Sequence, residues 1–427
     1  MDVVPDTSKV RQEQKKEAVP PVERPFGPFA YHEMVELDIA RLDEGGVGIG
    51  FVQNCSVRVP FTLRGEKVLA RIYRSKGTDA WADLMEIKTS SPERIQPTCS
   101  LFTQCSGCQF QHWGYENQLC WKTEQIKTLF APLTSLPVSP TKSSPRTLGY
   151  RSKITPHFNK PKEGKPPSIG FLHLGKKMEI VDVAQCPIAT EEINRSLPEV
   201  RKGVLESLQN YKKGATLLLR DTAEGVLTNS NAVATEHVGD LKFQFPAGAF
   251  FQNNPFILKA FVEHIVQEAQ ATGARFAIDT YCGSGLFGLS ASLYFERVTG
   301  IEVSADSLKW AKLNAEGNNI ANVEFITGDA ASIFEKIEYP SEETVVIIDP
   351  PRKGCGPAFL QQLTAFQPRG VVYVSCNPET QAIDLQSLLG YEITSIQPFD
   401  LFPQTKHIEN VVALMRKAQR ALSSESP

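Results

Sequence analysis

The chain has 427 residues, of which 41% are hydrophobic and 22% are charged, and its formal net charge is −3. This length and composition predict two or three globular domains with cores of normal size. The balanced charge excludes any argument for a polyanionic partner from net charge, so such a partner must be inferred from local patches. We find no signal peptide and no apolar run of membrane-spanning length, and we expect a soluble cytoplasmic monomer without a membrane partner.

The first 90 residues change character near residue 30. Residues 1–30 are rich in Lys, Glu and Pro, which predicts a disordered tail. In residues 31–90, apolar and polar side chains alternate, as at Val35, Leu37 and Ile39, between Gly-rich turns such as residues 45–50. Period-two alternation with closely spaced turns predicts a small β-barrel of the OB type.

A group of cysteines with the spacing C-x5-C-x2-C follows the predicted barrel. Its members are Cys99, Cys105 and Cys108. Thiolates at this spacing suit Zn²⁺ or a [4Fe–4S] cluster, and both need a fourth ligand. We expect Cys186 in that role rather than Cys120, because Cys120 falls within a helix that we predict over residues 115–130.

A basic stretch at residues 146–165 follows the cysteines. It contains one acid, Glu163, and six cations, which are Arg146, Arg151, Lys153, Lys160, Lys162 and Lys165. Tyr150, His157 and Phe158 are interleaved with them. Cations that track phosphates, together with rings that stack on unpaired bases, favour binding of single-stranded RNA, and a solvated basic loop is the alternative.

From residue 240 onward, apolar strands alternate with helix-length segments. The strand candidates are residues 276–278, 298–301, 323–326, 345–348 and 371–374. This pattern predicts a doubly wound α/β domain of Rossmann type with a mostly parallel sheet. We therefore divide the chain into a tail (1–30), a barrel (31–90), a central α+β domain for metal and RNA binding (91–239) and a catalytic domain (240–427).

A nucleotide cofactor is predicted at the start of this sheet. The first strand runs into a Gly-rich turn that contains Gly283, Glu302 ends the second strand, and Asp329 follows the third. Backbone at such a turn approaches a nucleotide, an acid at Glu302 can accept hydrogen bonds from ribose, and Asp329 can meet the adenine edge. The same glycines fit a dinucleotide fingerprint, so an iron–sulfur oxidoreductase with a nicotinamide or flavin cofactor is an alternative. The rigid Asp349-Pro-Pro step favours S-adenosylmethionine.

Cys376 directly follows the fifth strand, where such sheets place their chemistry. Uracil C5 attacks a methyl group only after a thiolate has added to C6, and a base must later remove the C5 proton. We assign Cys376 as the nucleophile, Glu409 as the base, and Arg352 or Lys353 as the cation that favours the thiolate. Methylation of cytosine at C5 is another alternative. The enzymes for that reaction usually carry a cysteine in the Pro-Pro loop, and here Arg352 follows Pro351 instead. A catalytically inactive RNA-binding protein is a further alternative. Catalysis would require a uridine that is flipped out of any stack, because Cys376 must reach C6.

Five motifs in this order resemble those of the RNA (uracil-C5) methyltransferases. They are Phe251-Gln252-Asn253, Asp279 to Gly285, Asp349 to Gly354, Ser375 to Pro378 and His407 to Asn410. The resemblance implies S-adenosylmethionine as the methyl donor, with contacts from Gln252, Tyr281, Glu302, Asp329 and Asp349. It also implies the roles given above to Cys376 and Glu409. Leu286 departs from the pattern, since many members carry a polar residue there that touches the cofactor.

The N-terminal half also resembles part of this family. The barrel is similar to a TRAM domain, although Gln53-Asn54 stands where an Asp-Gly turn is common. The cysteine pattern is similar to that of the iron–sulfur branch, which implies a [4Fe–4S] cluster held by Cys99, Cys105, Cys108 and Cys186. Barrel and cluster together resemble the branch that modifies 23S ribosomal RNA, so we expect a ribosomal substrate, with transfer RNA as the alternative.

Overall fold

The computed structural model of the protein describes residues 27–161, 166–176, 178–328 and 334–418, without the side chain of Glu335. What was predicted for most of the N-terminal tail and for Lys162, Lys165 and Asp329 lies outside the described residues. The described chain forms two compact units. One comprises the residues up to Asp43 together with Val47–Ser91, and the other comprises Glu44–Gly46 and the residues from Pro92 onward.

The first unit is a closed five-stranded barrel, as the alternating pattern predicted. Its strands are β1 (Met34–Leu42), β2 (Gly48–Val52), β3 (Cys55–Val59), β4 (Lys67–Lys76) and β5 (Asp79–Thr89). They are hydrogen-bonded in the order β1-β2-β3-β5-β4, and β4 returns to β1. Only the β3–β5 pair is parallel. Every second side chain of β1 points into the barrel core, including Val35, Leu37 and Ile39.

The turn predicted at residues 45–50 is wrong in part, because β2 already begins at Gly48. A side chain at Gly48 would collide with Thr62 Oγ1, and one at Gly50 would collide with the backbone oxygen of Asp38. These glycines therefore allow close approach inside a strand. The turn between β2 and β3 is made by Gln53 and Asn54, which both adopt positive φ angles of 51° and 63°.

The second unit begins with the cysteine segment and helix α1 (Tyr115–Phe130), which covers the predicted residues. Nine short strands and one long helix follow in the described chain: β6 (Lys153–Ile154), β7 (His157–Asn159), β8 (Ile169–Leu172), β9 (Ile180–Asp182), α2 (Glu191–Glu206), β10 (Gly214–Thr216), β11 (Leu219–Thr222), β12 (Gly225–Leu227), β13 (Val233–Val238) and β14 (Leu241–Pro246). They form sheets with the orders β10-β7-β8-β9 and β12-β11-β6, and a β13–β14 hairpin.

A seven-stranded sheet with flanking helices completes the unit, and it confirms the predicted Rossmann-like architecture. Its elements are α3 (Pro255–Ala271), β15 (Phe276–Thr280), α4 (Leu286–Ala291), β16 (Arg297–Glu302), α5 (Ala305–Gly317), β17 (Val323–Thr327), β18 (Thr344–Ile348), α6 (Pro357–Phe366), β19 (Gly370–Ser375), α7 (Pro378–Leu385), β20 (Tyr391–Phe399) and β21 (Glu409–Arg416). The strand order is β17-β16-β15-β18-β19-β21-β20, and β21 runs antiparallel to both neighbours.

The sheet and the segments before it share their cores. Ile126 and Phe130 of α1 belong to the same apolar cluster as strands β18 and β19. The predicted boundary at residues 239/240 falls in the turn of the β13–β14 hairpin, whose apolar side chains pack with α3. The division into domains stays a prediction. Within the described part of the chain, no helix is long and apolar enough to cross a membrane.

Candidate active site

The carboxyl ends of the parallel strands bring most of the predicted site residues to one edge of the sheet. Tyr281 directly follows β15, Glu302 ends β16, Asp349 follows β18 and Cys376 follows β19. These four strands are adjacent in the order β16-β15-β18-β19, so their ends face one crevice.

The Gly-rich turn after β15 is built around buried Asp279. Its Oδ2 accepts a hydrogen bond of 2.6 Å from the backbone N–H of Gly288, while its Oδ1 has no partner among the described atoms. Burial raises the pKa of Asp279 to about 8, against the opposing effect of that hydrogen bond. Tyr281 and Gly285 both adopt positive φ, at 63° and 95°. Asp279 therefore fixes a tight turn.

Glu302 is anchored by two backbone N–H groups. Its Oε2 accepts from Gly283 N at 3.1 Å, and its Oε1 accepts from Ser304 N at 2.9 Å. A carboxylate oxygen has two acceptor sites, so each oxygen can accept a further hydrogen bond. A Cβ added at Gly283 would meet nothing within 4 Å, which shows open space beside the anchored carboxylate. The two carboxylate oxygens of Glu302 are therefore suited to accept hydrogen bonds from a ligand with adjacent hydroxyl groups.

Two further positions bear on the resemblance to the family, Gln252 as an expected cofactor contact and Leu286 as a departure from the pattern. Gln252 lies between β14 and α3 and is 8% exposed. Leu286, the departure from the family pattern, begins α4 and packs into the apolar core of the sheet. Its side chain therefore has a core role in this chain.

Cys376 and Glu409 meet where β19 and β21 pair. Ser375 is opposite Asn410 in the antiparallel ladder, which brings the residue after β19 near the first residue of β21. The pKa of the half-buried Cys376 thiol is raised to about 11, mainly by burial and also by the carboxyls of Glu409 and Asp349, while Arg352 opposes the shift. Burial and Asp349 also raise the pKa of Glu409 well above its usual range, and Arg352 again opposes the shift.

The loop after β18 carries both Asp349 and Arg352. Burial raises the pKa of Asp349 to about 7. The backbone oxygen of Arg352 accepts hydrogen bonds from Asn377 Nδ2 at 3.0 Å and from Thr380 Oγ1 at 3.3 Å. Because Asn377 immediately follows Cys376, these bonds tie the Asp-Pro-Pro-Arg loop to the loop of the thiol.

A buried network behind this edge escaped the sequence analysis. Asp384 of α7 accepts a hydrogen bond of 2.6 Å from the hydroxyl of Tyr373 and one of 2.9 Å from the backbone N–H of Cys355. Gln381, on the same helix, bonds to the side chain of Asn410 at 2.8 Å. The helix thereby holds β19, β21 and the Asp349 loop in one arrangement. No local sequence pattern points to these residues, since only the packing of α7 brings them together.

The structure brings the four cysteines of the predicted metal site into each other's vicinity. They are Cys99, Cys105, Cys108 and Cys186, all partly exposed, whereas Cys120 is exposed on α1. The pKa of Cys108 is raised to about 12, mainly by burial and also by the other three thiols, while a hydrogen bond with Gln111 opposes the shift. Cys99 and Cys105 likewise raise the pKa of Cys186, for which burial is the main cause.

Backbone N–H groups point at two of these sulfurs. Gly107 donates to Cys105, and Ile188 and Ala189 donate to Cys186. Such donors stabilise thiolates and accompany sulfur ligands in metal sites. No three His, Cys, Asp or Glu side chains of the described chain are arranged closely enough to hold a metal ion. The donor set and its N–H groups therefore fit a metal centre chemically, whereas the thiols are further apart than bound ligands.

The basic stretch is only partly a surface for RNA. Tyr150 and Phe158 were predicted to be available for stacking, but both are buried, because their rings fill the interior of the unit. Lys160 Nζ is also engaged, by the backbone oxygen of Tyr211 at 2.8 Å.

An exposed ring close in sequence to Gln252 is that of Phe250, which the sequence analysis did not single out. Phe250 is 77% exposed and lies two residues before Gln252. The preceding residue, Ala249, accepts hydrogen bonds from Lys153 Nζ at 3.0 Å and from Arg220 Nη2 at 2.9 Å. Two cations therefore hold the loop that presents this ring.

Comparisons with known proteins match this architecture. A statistical model of the family described as "tRNA (Uracil-5-)-methyltransferase" matches residues 206–417. A curated tRNA (uracil(54)-C(5))-methyltransferase of Schizosaccharomyces pombe is 40% identical over 91% of this chain and 79% of its own length. The Saccharomyces cerevisiae protein of the same name is 33% identical over 90% of this chain and 74% of its own length.

More distant similarities extend beyond the fungi. An RNA methyltransferase of Synechocystis, described as uncharacterized, is 30% identical over 89% of this chain and 95% of its own length. The crystal structure of Pyrococcus abyssi tRNA (uracil-54, C5)-methyltransferase, in complex with S-adenosyl-L-homocysteine, superposes with a TM-score of 0.71 at 24% identity. The match covers 89% of this chain and 100% of that one, and it establishes the shared fold.

Proposed function

Because the chain belongs to the tRNA (uracil-5-)-methyltransferase family and is an S-adenosylmethionine-dependent RNA uracil-C5 methyltransferase, we propose that it methylates a uridine of transfer RNA through a covalent bond to Cys376. The observation that carries the mechanism is the meeting of Cys376, Glu409 and Arg352 at one edge of the sheet. A nucleophile, a proton acceptor and a cation are the three groups that the reaction requires.

In the proposed mechanism, the Cys376 thiolate adds to C6 of the flipped-out uracil, and electrons move through C5 toward O4. These electrons then form a bond from C5 to the methyl group that S-adenosylmethionine would supply, and S-adenosylhomocysteine would leave with the electron pair of the broken S–CH3 bond. The positive charge of the bound sulfonium would lower the pKa of nearby acids. Glu409 then removes the proton from C5. The electron pair of that C–H bond re-forms the C5–C6 double bond and expels the thiolate, which yields 5-methyluridine and free enzyme.

The environment of the carboxyls supports these roles. Burial makes ionised Glu409 a stronger base than an exposed glutamate, because its carboxylate is poorly solvated. The proposed contacts of the methyl donor are Gln252, Tyr281, Gly283, Glu302, Asp349 and Asp329. Glu302 is suited to the ribose hydroxyls, since its carboxylate is held by two backbone N–H groups beside the open space at Gly283.

The proposal of transfer RNA replaces the expectation of a ribosomal substrate. Both fungal relatives, which align over about nine-tenths of this chain, are named for uridine 54 of transfer RNA. We expect cells that lack the protein to lose 5-methyluridine from position 54 of transfer RNA and to keep it in ribosomal RNA. If 5-methyluridine were lost from ribosomal RNA alone, the proposed transfer RNA substrate would be wrong, but the proposed reaction would still stand.

Cys376→Ala tests the chemistry itself. The variant should bind the methyl donor with unchanged affinity and transfer no methyl group, because no thiolate can add to C6. Cys120→Ala, at an exposed thiol on α1, serves as the matched control and should retain full activity. Methyl transfer by the Cys376 variant would exclude the covalent mechanism.

We further propose that Cys99, Cys105, Cys108 and Cys186 hold a [4Fe–4S] cluster rather than Zn²⁺. Support comes from four thiols near enough to affect one another's pKa and from the N–H groups that face two of them, and the sulfurs would have to move closer together to bind the cluster. Such a cluster would order the segment and supply no step of the methyl transfer. Protein purified without oxygen should be brown and contain iron and sulfide, and Cys186→Ala should lose both. Colourless protein with zinc, or protein without metal, would overturn the assignment.

A further inference from the structure

Within the described residues, the side chain of Arg352 is held by one hydrogen bond. Its Nη2 donates a hydrogen bond of 3.1 Å to His407 Nδ1. Its guanidinium is exposed and makes no ion pair with any carboxylate in the described part of the chain. A long arginine side chain has many rotamers, so a fixed acceptor is needed to keep its charge in one place.

The position of this charge matters to two reacting groups. Arg352 is the cation that lowers the pKa of Cys376 and also that of Glu409. Arg352 thereby opposes Asp349, which raises the pKa of Cys376 and of Glu409. A guanidinium that swings into solvent would leave the thiol facing carboxyl groups alone, and the charge would be screened by water.

His407 is equipped to act as a permanent acceptor. Burial, Arg352, Lys122, Lys406 and Arg151 lower its pKa to about 4, so the imidazole is neutral near physiological pH. A neutral imidazole has one free nitrogen lone pair, which here is on Nδ1. The ring also packs edge-on against Phe402, with 6.0 Å between the ring centroids.

The loop that carries His407 is fixed at its centre. Gln404 N donates to Gln118 Oε1, Gln118 Nε2 donates to Gln404 Oε1, and both bonds are 3.1 Å long. The backbone oxygen of Gln404 accepts from the N–H groups of Gln109 and Phe110 at 2.9 and 3.0 Å. His407, three residues further along, therefore projects from a well-anchored segment.

We propose that His407 is a positioning residue, whose Nδ1 holds the guanidinium of Arg352 beside Cys376 and Glu409 so that the cation faces the thiol that attacks C6. The proposal rests on the proposed function, since it assumes attack by Cys376. It assigns His407 no contact with the reacting atoms.

The test measures formation of the Cys376–RNA bond by itself. In a transfer RNA transcript with 5-fluorouridine in place of uridine, the thiolate adds to C6 and C5 receives the methyl group. Fluorine then occupies the place of the proton that Glu409 must remove, so the covalent complex persists and can be quantified on a denaturing gel. Its rate of formation across pH reports ionisation of the thiol, independently of elimination.

We expect His407→Phe, which keeps a ring but no acceptor, to raise the apparent pKa of this rate by about one unit, or about tenfold in rate at neutral pH. The deficit should vanish at high pH, where the thiol is ionised without help. His407→Gln offers an acceptor oxygen and should restore most of the rate, which keeps the test decisive if the Phe variant folds poorly. His264→Phe, at another half-buried histidine, should leave the pH profile unchanged.

Two results would overturn the inference. The first is an equal loss of rate at every pH, since a general structural defect would not follow ionisation of the thiol. The second is an additional loss when His407→Phe is placed in an Arg352→Ala background, because a residue that acts through Arg352 has no effect without it. Wild-type protein that forms no complex at all would instead refute the proposed function.

Discussion

Lys122 Nζ lies 2.7 Å from Asp400 Oδ1, and both side chains are fully buried. The lysine belongs to α1, which follows the cysteine segment, and the aspartate follows β20 of the large sheet. The pair therefore joins the region before the sheet to the loop that leads to His407 and Glu409. A charge in the interior that loses its partner is strongly unfavourable, so this relationship has a measurable consequence.

Lys122→Met should lower the free energy of unfolding by about 3–5 kcal/mol, because Asp400 would remain buried without its counterion. Urea unfolding gives the measurement. Lys259→Met, which breaks an exposed pair with Glu263 on α3, should change stability by less than about 1 kcal/mol. Asp400→Leu added to Lys122→Met should recover much of the loss, and equal losses in Lys122→Met and Lys259→Met would contradict the prediction.

Glu409→Gln should leave RNA covalently attached to Cys376 after methyl transfer, because the glutamine cannot accept the C5 proton and elimination cannot follow. The adduct should be visible on a denaturing gel with ordinary, unfluorinated transfer RNA. Glu392→Gln, at an exposed position of β20, is the control and should show no more adduct than wild type. Normal turnover by Glu409→Gln would show that another group is the base.

Asp349 should make the stability of the ligand-free enzyme depend on pH. Its pKa is raised from about 4 to about 7 by folding. A group whose pKa is raised stabilises the fold below its unfolded pKa, and this contribution is lost as pH rises through the folded value. The melting temperature of wild type should therefore fall between about pH 4 and pH 7 more steeply than that of Asp349→Asn. Parallel curves for the two proteins would contradict this account.

Phe250→Ala should reduce kcat/KM for transfer RNA by about tenfold, the effect expected for loss of one ring that stacks on a base. Phe250→Trp should retain most of the activity, since it keeps a larger ring. Tyr294→Ala removes another exposed ring, 60% exposed after α4, and should have no effect. A similar loss in both alanine variants would argue against a specific stacking role for Phe250.

The periodic features of the chain could be predicted because their burial is repeated along one element. The central strands of the sheet are mainly apolar runs, as at β18 and β19, where every residue is buried. Helix α1 and the alternating strand β1 could be predicted from the sequence equally well. Gly48 and Gly50 were misread, since a glycine that allows close approach looks the same in sequence as one that makes a turn.

Cys376 and Asp349 could be proposed from sequence because each directly follows a recognisable strand, and parallel strands bring their ends together. Glu409 begins the last apolar strand, and its antiparallel pairing with β19 brings Glu409 near Cys376. The sequence thus determined the Rossmann-like fold class and the uracil-C5 methyltransferase activity, and it led to the proposal of these three residues. Only the tertiary structure decided that Asp384 ties Tyr373 to Cys355, that Phe158 is buried while Phe250 is exposed, and that His407 holds Arg352. Those contacts join residues far apart in the chain, and no local pattern encodes a distance between two elements that meet only when the core is packed.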